Sequence, residues 1–331
     1  MSDVYRIWGA EMSPFSVKVR SYFRYKGIPH DWQERSPSNI EEYKKYSKLP
    51  LVPTVATPED EGWQDSTPII EKTEARHPEP SIHPGDPVSN FVSALLEEFG
   101  DEWGNKWMFH MRWARPADQD SAAERLAAGM APGSTPEQLA GVAGQVKERM
   151  VNRVWFVGSS EETAPQIEQS FQDGLDQLDA HLAARDYLFG ARPAFADFGL
   201  WGQIYNAWTD PTAKDWVEAR PKVMAWVQRM LEPKASGPFE PWSALEPTLL
   251  PLLETQVGGL FLPWSDANAR ALAAGEEEFT VELASGRWTQ KPQKYHARSL
   301  GKLRERHAAV PDKSELDPIL ERTGCLRWLQ A

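Results

Sequence analysis

The sequence predicts an α/β domain, then an all-α region, then a C-terminal appendage that contains a β-hairpin. Short apolar strands alternate with an amphipathic helix at the start of the chain. Apolar residues then recur at helical spacing through the middle. Near the end, Phe279, Val281 and Leu283 alternate with polar residues before a turn at Ser285-Gly286. The 331-residue length accommodates two domains or three small ones.

The first domain begins with a strand, "DVYRIWG", followed by a helix. Pro14 suits the first helical turn because its missing N–H would be unpaired there, and Gly27 ends the helix. A second strand is expected near residues 31–34. Pro53 interrupts the third strand, "LPLVPTVAT", so it indicates an edge, a bulge or a cis peptide bond. A short strand, a turn and a helix follow in "GWQDSTPIIEKTEARHP".

The later segments are less regular. Residues 115–141 are rich in small residues, Pro and Gly, which predicts a mobile loop between helix ends. In the tail, we expect helices broken at Pro251 and at Gly258-Gly259, with Ser265 capping the second piece. The segment "QKYHARSLGKLRERHAAV" predicts a basic helix.

Charge and composition exclude several classes of partner. The formal net charge of -12 repels nucleic acids and anionic membranes, so we expect neither as a partner. The N-terminus shows no secretory signal, and no stretch is apolar enough to span a bilayer. Cys325 is the only cysteine, which fits a reducing, cytoplasmic compartment. No cluster of ligating residues has metal-site spacing, so we expect no metal.

Three motifs occur in order: "SPFS" after the first strand, "VPTV" followed by "QDS", and "LDQLDAHLAARDYLFGARPAFADFGL". Together they resemble the glutathione transferase superfamily over roughly residues 3–240. The resemblance implies a thioredoxin-like glutathione-binding domain at residues 1–83, an all-helical domain at 84–240 and a homodimer. Residues 241–331 lie outside the resemblance, and we expect them to pack on the helical domain.

The "SPFS" motif stands at a helix N-terminus, where unpaired N–H groups and the helix dipole favour an anion. The resemblance implies that Ser13 donates a hydrogen bond to the glutathione thiolate and that Phe15 lies in the same site. An ordinary helix cap is the alternative for Ser13. Ser16 is expected to be solvated or bonded to the backbone. Without cysteines here, the motif argues against disulfide exchange.

The remaining glutathione contacts also follow from the resemblance. It implies a cis bond before Pro53 that presents the Val52 main chain to the cysteinyl amide. It implies that Asp65 and Ser66 hold the γ-glutamyl end, with a helix cap as the alternative. The family often carries a basic residue where this chain has Leu51. Lys48 is the candidate to replace it at the glycyl carboxylate.

The helical domain suggests a place for a second substrate. The family implies an acceptor site lined by the first helix of this domain, here with Trp103, Trp107, His110 and Met111. Core packing is the alternative for these residues, and a satisfied interior histidine is the alternative to a general base at His110. The acids of "EEFGDE" are expected to form a solvated face. Asp197 is expected to accept from the Ala194 N–H as half of a capping box.

These observations predict a glutathione transferase-like enzyme, with glutathione as co-substrate. A serine-stabilised thiolate would attack an apolar or aromatic electrophile. Conjugation, ether cleavage and dehalogenation all begin with thiolate attack at carbon, so the thiolate site does not distinguish among these reactions. A non-catalytic binding or scaffold protein is the alternative. The basic residues between Arg287 and His307 are expected to dock on the chain's own acidic surface, for instance at residues 276–278.

Overall fold

The computed structural model describes residues 4–36 and 38–330. The first elements are β1 (Tyr5–Gly9), α1 (Pro14–Lys26), β2 (His30–Glu34), α2 (Ile40–Tyr46), β3 (Thr54–Ala56), β4 (Gly62–Gln64) and α3 (Ser66–Arg76). Their sheet has the order β2-β1-β3-β4, with β2 parallel to β1 and the other pairs antiparallel. This is the expected thioredoxin-like arrangement. The sequence analysis did not predict helix α2.

Local sequence explains where α1 begins and ends. Ser13 takes an extended backbone conformation and caps the helix, and Pro14 occupies its first position. Gly27 ends the helix with a φ of 63°, a conformation that costs glycine nothing. Phe23 is buried against the sheet, with its ring 5.4 Å from that of Tyr5 in β1. The Val52–Pro53 bond is cis, which selects one of the three alternatives given by Pro53.

The helical region follows. Its α-helices are α4 (Pro87–Phe99), α5 (Asn105–Ala114), α6 (Pro116–Met130), α7 (Pro136–Val151), α8 (Ala164–His181), α9 (Phe195–Trp208), α10 (Pro211–Glu218) and α11 (Pro221–Arg229). A π-helical segment, Gly100–Gly104, joins α4 to α5. None of the helices within the described ranges is long and apolar enough to cross a membrane.

The predicted mobile loop at residues 115–141 is wrong, because most of this interval lies in α6 and α7. Pro116 and Pro136 each stand at the first position of a helix, where proline is favoured. Thr135 and Gln138 form a complete capping box at the start of α7. The small residues serve packing, since Ala122 and Ala123 are buried between the helices.

The remaining elements are α12 (Trp242–Leu252), α13 (Leu262–Ala274), β5 (Phe279–Leu283), β6 (Gly286–Gln290), α14 (Lys294–Ala309), α15 (Leu316–Arg322) and α16 (Leu326–Leu329). The hairpin of β5 and β6 and the basic helix α14 confirm the predictions for these segments.

The predicted helix breaks in this region are wrong. A π-helical segment, Leu253–Phe261, joins α12 directly to α13, and Ser265 is buried within α13 instead of capping it. The small size of Gly258 serves close packing, because a Cβ there would lie 2.0 Å from the carbonyl oxygen of Thr323. Glycine therefore permits contact with the C-terminal segment here and does not end the helix.

Residues 241–331 pack against the helical region through aromatic and aliphatic side chains. The ring of Trp103 lies 5.8 Å from that of Trp264 and 5.4 Å from that of Trp288, and all three are buried. The basic helix α14 pairs with Asp266 through Arg304 and with Glu71 through Arg306, so the suggested partners at residues 276–278 are wrong. The domain boundaries at residues 83 and 240 stay predictions.

Candidate functional site

The N-terminus of α1 carries Ser13, whose side chain is half-buried. Its Oγ accepts a hydrogen bond of 3.3 Å from the backbone N–H of Ser16. A hydroxyl can accept and donate at once, so this cap leaves the Ser13 proton available for a ligand. The two interpretations of Ser13, as a cap and as a donor, are therefore compatible. Phe15 follows in the first turn of α1 and is also half-buried.

Ser16 does not fit its expected environment. It is 0% exposed, and its hydroxyl finds no hydrogen-bond partner among the residues that the structure describes. The prediction of a solvated or backbone-bonded side chain is therefore wrong. The reason is that Ser16 lies on a buried face of α1, which Val19 and Phe23 continue in the next two turns with no exposed surface.

The loop before the cis peptide bond is fixed by Gln64. The Gln64 amide donates to the carbonyl oxygens of Leu49 and Leu51 at 2.7 and 2.8 Å and accepts from the Lys48 N–H at 3.2 Å. Val52 is half-buried and Pro53 is buried, while Lys48 is exposed. Sequence analysis missed Gln64, although it precedes Asp65 in the quoted "QDS" motif.

The turn into α3 presents Asp65 in a strained backbone conformation, with a φ of 79°. Burial raises the pKa of its carboxyl, and the nearby charge of Lys18 opposes that shift. The hydroxyl of Tyr295 lies 3.4 Å from both carboxylate oxygens. The Ser66 hydroxyl is buried, 3.5 Å from Lys18 Nζ and 3.4 Å from Asp101 Oδ2. The Ser66 hydroxyl therefore faces the interior, and only the Ser66 main chain could bind a ligand at the surface of this turn.

The acids of "EEFGDE" are buried, so the prediction of a solvated face is wrong. The group is at most 7% exposed and comprises Glu97, Glu98, Asp101 and Glu102. Lys18 Nζ on α1 reaches between the domains and donates to Asp101 at 2.6 Å and to Thr67 at 3.1 Å. It also pairs with Glu97. Helix α14 covers the other side, where His296 contacts Glu102 and Ser299 contacts Glu98.

This cluster shifts the protonation equilibria of its members. Burial alone would lower the pKa of Lys18, but attraction by Asp101 and Glu97 raises it, so Lys18 stays charged. Burial raises the pKa of Glu98 well above its ordinary value, and the negative charges of Glu97 and Glu102 add to the shift. One lysine thus neutralises part of a group of four acids at the junction of three segments of the chain.

The predicted acceptor residues on and before α5 lie in the core. The indole N–H groups of Trp103 and Trp107 both donate to the Ser170 hydroxyl, at 2.8 and 2.9 Å. Met111 is completely buried. The His110 ring is hydrogen-bonded to Ser159 at 2.8 Å and to Glu168 at 3.0 Å. Burial lowers the pKa of His110. Substrate contact by these four residues stays a prediction that their burial does not favour.

Met12, the residue before Ser13, belongs to a different apolar surface. Met12, Phe109, Leu126 and Met150 are half-buried and pack around Trp113 in a separate cluster. Arg112 links this surface to the start of α1, donating to the Met12 carbonyl oxygen at 2.9 Å while its Nε donates to Asp210 at 2.8 Å. Sequence analysis missed this cluster because Met12 is far in sequence from the helices that surround it.

Among the residues in the two described ranges, no group of three or more His, Cys, Asp or Glu side chains is arranged to hold a metal ion.

Asp197 accepts from the Ala194 N–H at 2.8 Å, from the Leu188 N–H at 2.9 Å and from the Trp226 indole at 2.8 Å. It therefore stabilises the start of α9, as expected.

Comparisons with known proteins place two domain families on the chain. The family described as "Glutathione S-transferase, N-terminal domain" matches residues 8–81, and "Glutathione S-transferase, C-terminal domain" matches residues 148–229. A curated relative, the tetrachloro-p-hydroquinone reductive dehalogenase of Sphingobium chlorophenolicum, is 34% identical over 79 residues. That match covers 24% of this chain and 30% of the relative, so the chain spans less than a third of that enzyme's length.

Two solved structures are among those similar to the chain at low sequence identity. The beta-etherase LigF from Sphingobium sp. strain SYK-6 is 21% identical with a TM-score of 0.48, covering 74% of this chain and 98% of that one. A glutathione S-transferase from Methylobacterium radiotolerans, in complex with glutathione sulfonate, is 19% identical with a TM-score of 0.43, covering 72% and 99%.

Proposed function

The chain belongs to the glutathione transferase superfamily, and from this premise we propose that it is an enzyme that activates glutathione with Ser13. The Ser13 hydroxyl donates to the glutathione thiolate, and the sulfur attacks carbon in an apolar or aromatic electrophile. A carbon–sulfur bond forms while the bond to the leaving group breaks. The observation that carries the proposal is the Ser13 cap, which uses the hydroxyl oxygen and leaves the proton to donate.

The energy available at Ser13 suits this task. A free thiol has a pKa of about 8.5, and one unit of lowering corresponds to about 1.4 kcal/mol. A hydrogen bond to a charged group contributes roughly 1.5–3 kcal/mol, and the N-terminus of α1 adds a favourable dipole. Together they lower the thiol pKa by about one to two units, which makes thiolate abundant near neutral pH.

The reactive sulfur has to come from the co-substrate. Cys325 is the only cysteine of the chain and is completely buried. Burial raises the pKa of its thiol to about 12. Such a thiol neither ionises near neutral pH nor meets a substrate, so it offers no competing nucleophile.

In the proposed complex, the Val52 main chain before cis-Pro53 pairs with the cysteinyl amide, as an added strand would. The Asp65 carboxylate faces the γ-glutamyl ammonium, and the Ser66 N–H at the start of α3 faces the carboxylate. Phe15 lies beside the thiol, and exposed Lys48 attracts the glycyl carboxylate. We further propose a homodimer in the cytoplasm, with no nucleic acid or membrane as partner.

The electrophile site of this proposal is the apolar surface of Met12, Phe109, Leu126 and Met150. It adjoins Ser13 through Met12, and its half-buried side chains suit a flat apolar or aromatic molecule. The halogenated aromatic in the name of the partial relative belongs to this class. Attack of the thiolate on such a ring is compatible with conjugation, dehalogenation or ether cleavage.

Calorimetry with glutathione tests the proposal first, followed by ultraviolet absorbance of the complex and turnover with chlorodinitrobenzene. We expect binding, a thiolate band at neutral pH and product formation. Binding without a thiolate band or turnover would instead support the non-catalytic binding protein. Absence of glutathione binding would reject the proposed enzyme and favour the non-catalytic scaffold protein.

A further inference from the structure

A cavity of about 240 Å³ lies between α3, α4 and α14. Asp65 and Thr67 line it from the first domain, Glu98 lines it from α4, and Tyr295 and Arg298 line it from α14. The matched family regions end at residue 229. One wall of this cavity is therefore formed by a part of the chain that neither family match includes.

Tyr295 is the side chain of this wall that meets Asp65. It is 45% exposed, although the same helix buries Leu300 and Leu303 completely. The 3.4 Å from its hydroxyl to each Asp65 oxygen is longer than a normal O–H···O hydrogen bond. Because this interaction is weak, the Asp65 carboxylate can still accept a hydrogen bond from a stronger donor, such as an ammonium group.

The position of Tyr295 is fixed by buried neighbours on α14. His296 is hydrogen-bonded to Glu102, and Ser299 is hydrogen-bonded to Glu98. Both contacts are buried, so they hold this turn of α14 against the helical domain. The Tyr295 ring is consequently presented to the cavity by a fixed backbone.

The cavity also contains positive charge from the extension. Of its three cationic side chains, Lys302 pairs with Glu305 and Arg306 pairs with Glu71. Within the described ranges, Arg298 forms no such pair with a carboxylate. An α-amino acid group carries an ammonium and a carboxylate on one carbon. It therefore matches a cavity with Asp65 on one wall and Arg298 on another.

We propose that α14 completes the site for the γ-glutamyl end of glutathione, with Tyr295 as a positioning residue for Asp65 and Arg298 as the contact for the α-carboxylate. This inference rests on the proposed function. It makes the extension part of the co-substrate site, so that the extension selects thiols by the group at their amino end.

Two glutathione analogues separate the contacts in the full chain. Glutaryl-cysteinyl-glycine lacks the ammonium, and γ-aminobutyryl-cysteinyl-glycine lacks the α-carboxylate. By calorimetry, Arg298→Gln should weaken glutathione binding roughly three- to tenfold and leave binding of the γ-aminobutyryl analogue unchanged. Tyr295→Phe should weaken glutathione binding roughly two- to fivefold and leave binding of the glutaryl analogue unchanged.

Arg287→Gln is the matched control, because it removes the same charge from an exposed position on the β-hairpin, outside the cavity. Thermal melting of each variant checks that the fold is retained. Unchanged glutathione binding by both Arg298→Gln and Tyr295→Phe, in a protein that binds glutathione, overturns this inference alone. Absence of glutathione binding by the unmodified chain overturns the proposed function and this inference with it.

Discussion

The ammonium of Lys18 donates to the Asp101 carboxylate at 2.6 Å, in a region that water does not reach. Lys18 belongs to α1 of the thioredoxin-like domain, and Asp101 lies in the π-helical segment after α4. The pair therefore joins the two domains directly behind the Asp65-Ser66 turn. Isolated buried charges are costly, so each group depends on the other for its place in the fold.

Replacing Lys18 with Met should destabilise the protein by roughly 3–5 kcal/mol, because it leaves Asp101 and Glu97 buried without a counter-charge. Urea unfolding measures the change. Lys44→Met is the control, since Lys44 is exposed and pairs with Glu41 on the surface; its cost should be about 0–1 kcal/mol. Equal effects of the two substitutions would show that the buried cluster does not depend on Lys18.

Glu98 should make stability depend on pH. Burial and the charges of Glu97 and Glu102 raise the pKa of its carboxyl in the folded state. The folded chain then keeps a proton that the unfolded chain releases above about pH 4.3. The free energy of unfolding should therefore fall as pH rises from this value towards the raised folded pKa.

Glu98→Gln removes this contribution while keeping the shape of the side chain. The variant should gain stability relative to the unmodified chain as pH rises from about 5 towards the raised folded pKa, by at most about 1.4 kcal/mol per pH unit. Urea unfolding at several pH values measures the difference. Glu41→Gln is the control at an exposed carboxylate. If the difference in unfolding free energy between Glu98→Gln and the unmodified chain stayed constant with pH, the raised pKa of Glu98 would be contradicted.

The fold was largely predictable because its signals are local. Pro14 and Gly27 set the ends of α1, and the alternation from Phe279 to Leu283 identifies the hairpin. Charge burial was not predictable, because the partners of Glu98 and Glu102 are Ser299 and His296, some two hundred residues further along the chain. The small residues at 115–141 gave a wrong prediction of a loop, because in the structure they allow helices to pack closely.

The candidate site divides in the same way. Ser13, Asp65 and Ser66 stand in short motifs with fixed spacing, so the sequence could suggest them together. Tyr295 and Phe109 reach the region only through tertiary packing, and no local pattern identifies them.

Ser13→Ala should raise the pKa of the thiol of bound glutathione by about one to two units and lower turnover at neutral pH about tenfold or more, with a smaller effect on glutathione affinity. Loss of the cap should cost about 1 kcal/mol of stability. The pH dependence of the thiolate absorbance measures the first effect.

Ser16→Ala is the matched control for Ser13→Ala. It removes a hydroxyl three residues away that is buried without a partner, so activity should be unchanged and stability equal or higher by about 1 kcal/mol. If Ser13→Ala retained normal thiolate absorbance and turnover, Ser13 would have no part in the reaction.

Asp65→Asn should weaken glutathione binding by roughly 1–3 kcal/mol, because it removes the negative partner of the γ-glutamyl ammonium. Asn tolerates a positive φ almost as well as Asp, so the turn with φ of 79° should persist. Calorimetry measures the loss. Asp60→Asn provides a closely matched control, since Asp60 also has a positive φ, 68°, but is exposed and hydrogen-bonded to Tyr46. Equal affinities for both variants would remove Asp65 from the glutathione site.

Trp264→Ala tests whether the extension is an integral part of the fold. The Trp264 ring is completely buried, packs 5.8 Å from Trp103 of the helical domain and lies 3.7 Å from the Lys106 ammonium. Its removal leaves a large cavity, so we expect a loss of roughly 3–5 kcal/mol in urea unfolding. Trp155→Ala removes an indole that is 47% exposed and should cost far less. If instead Trp264→Ala produced a separate early transition while the rest of the chain unfolded at its usual urea concentration, the extension would be an independent unit docked on the enzyme.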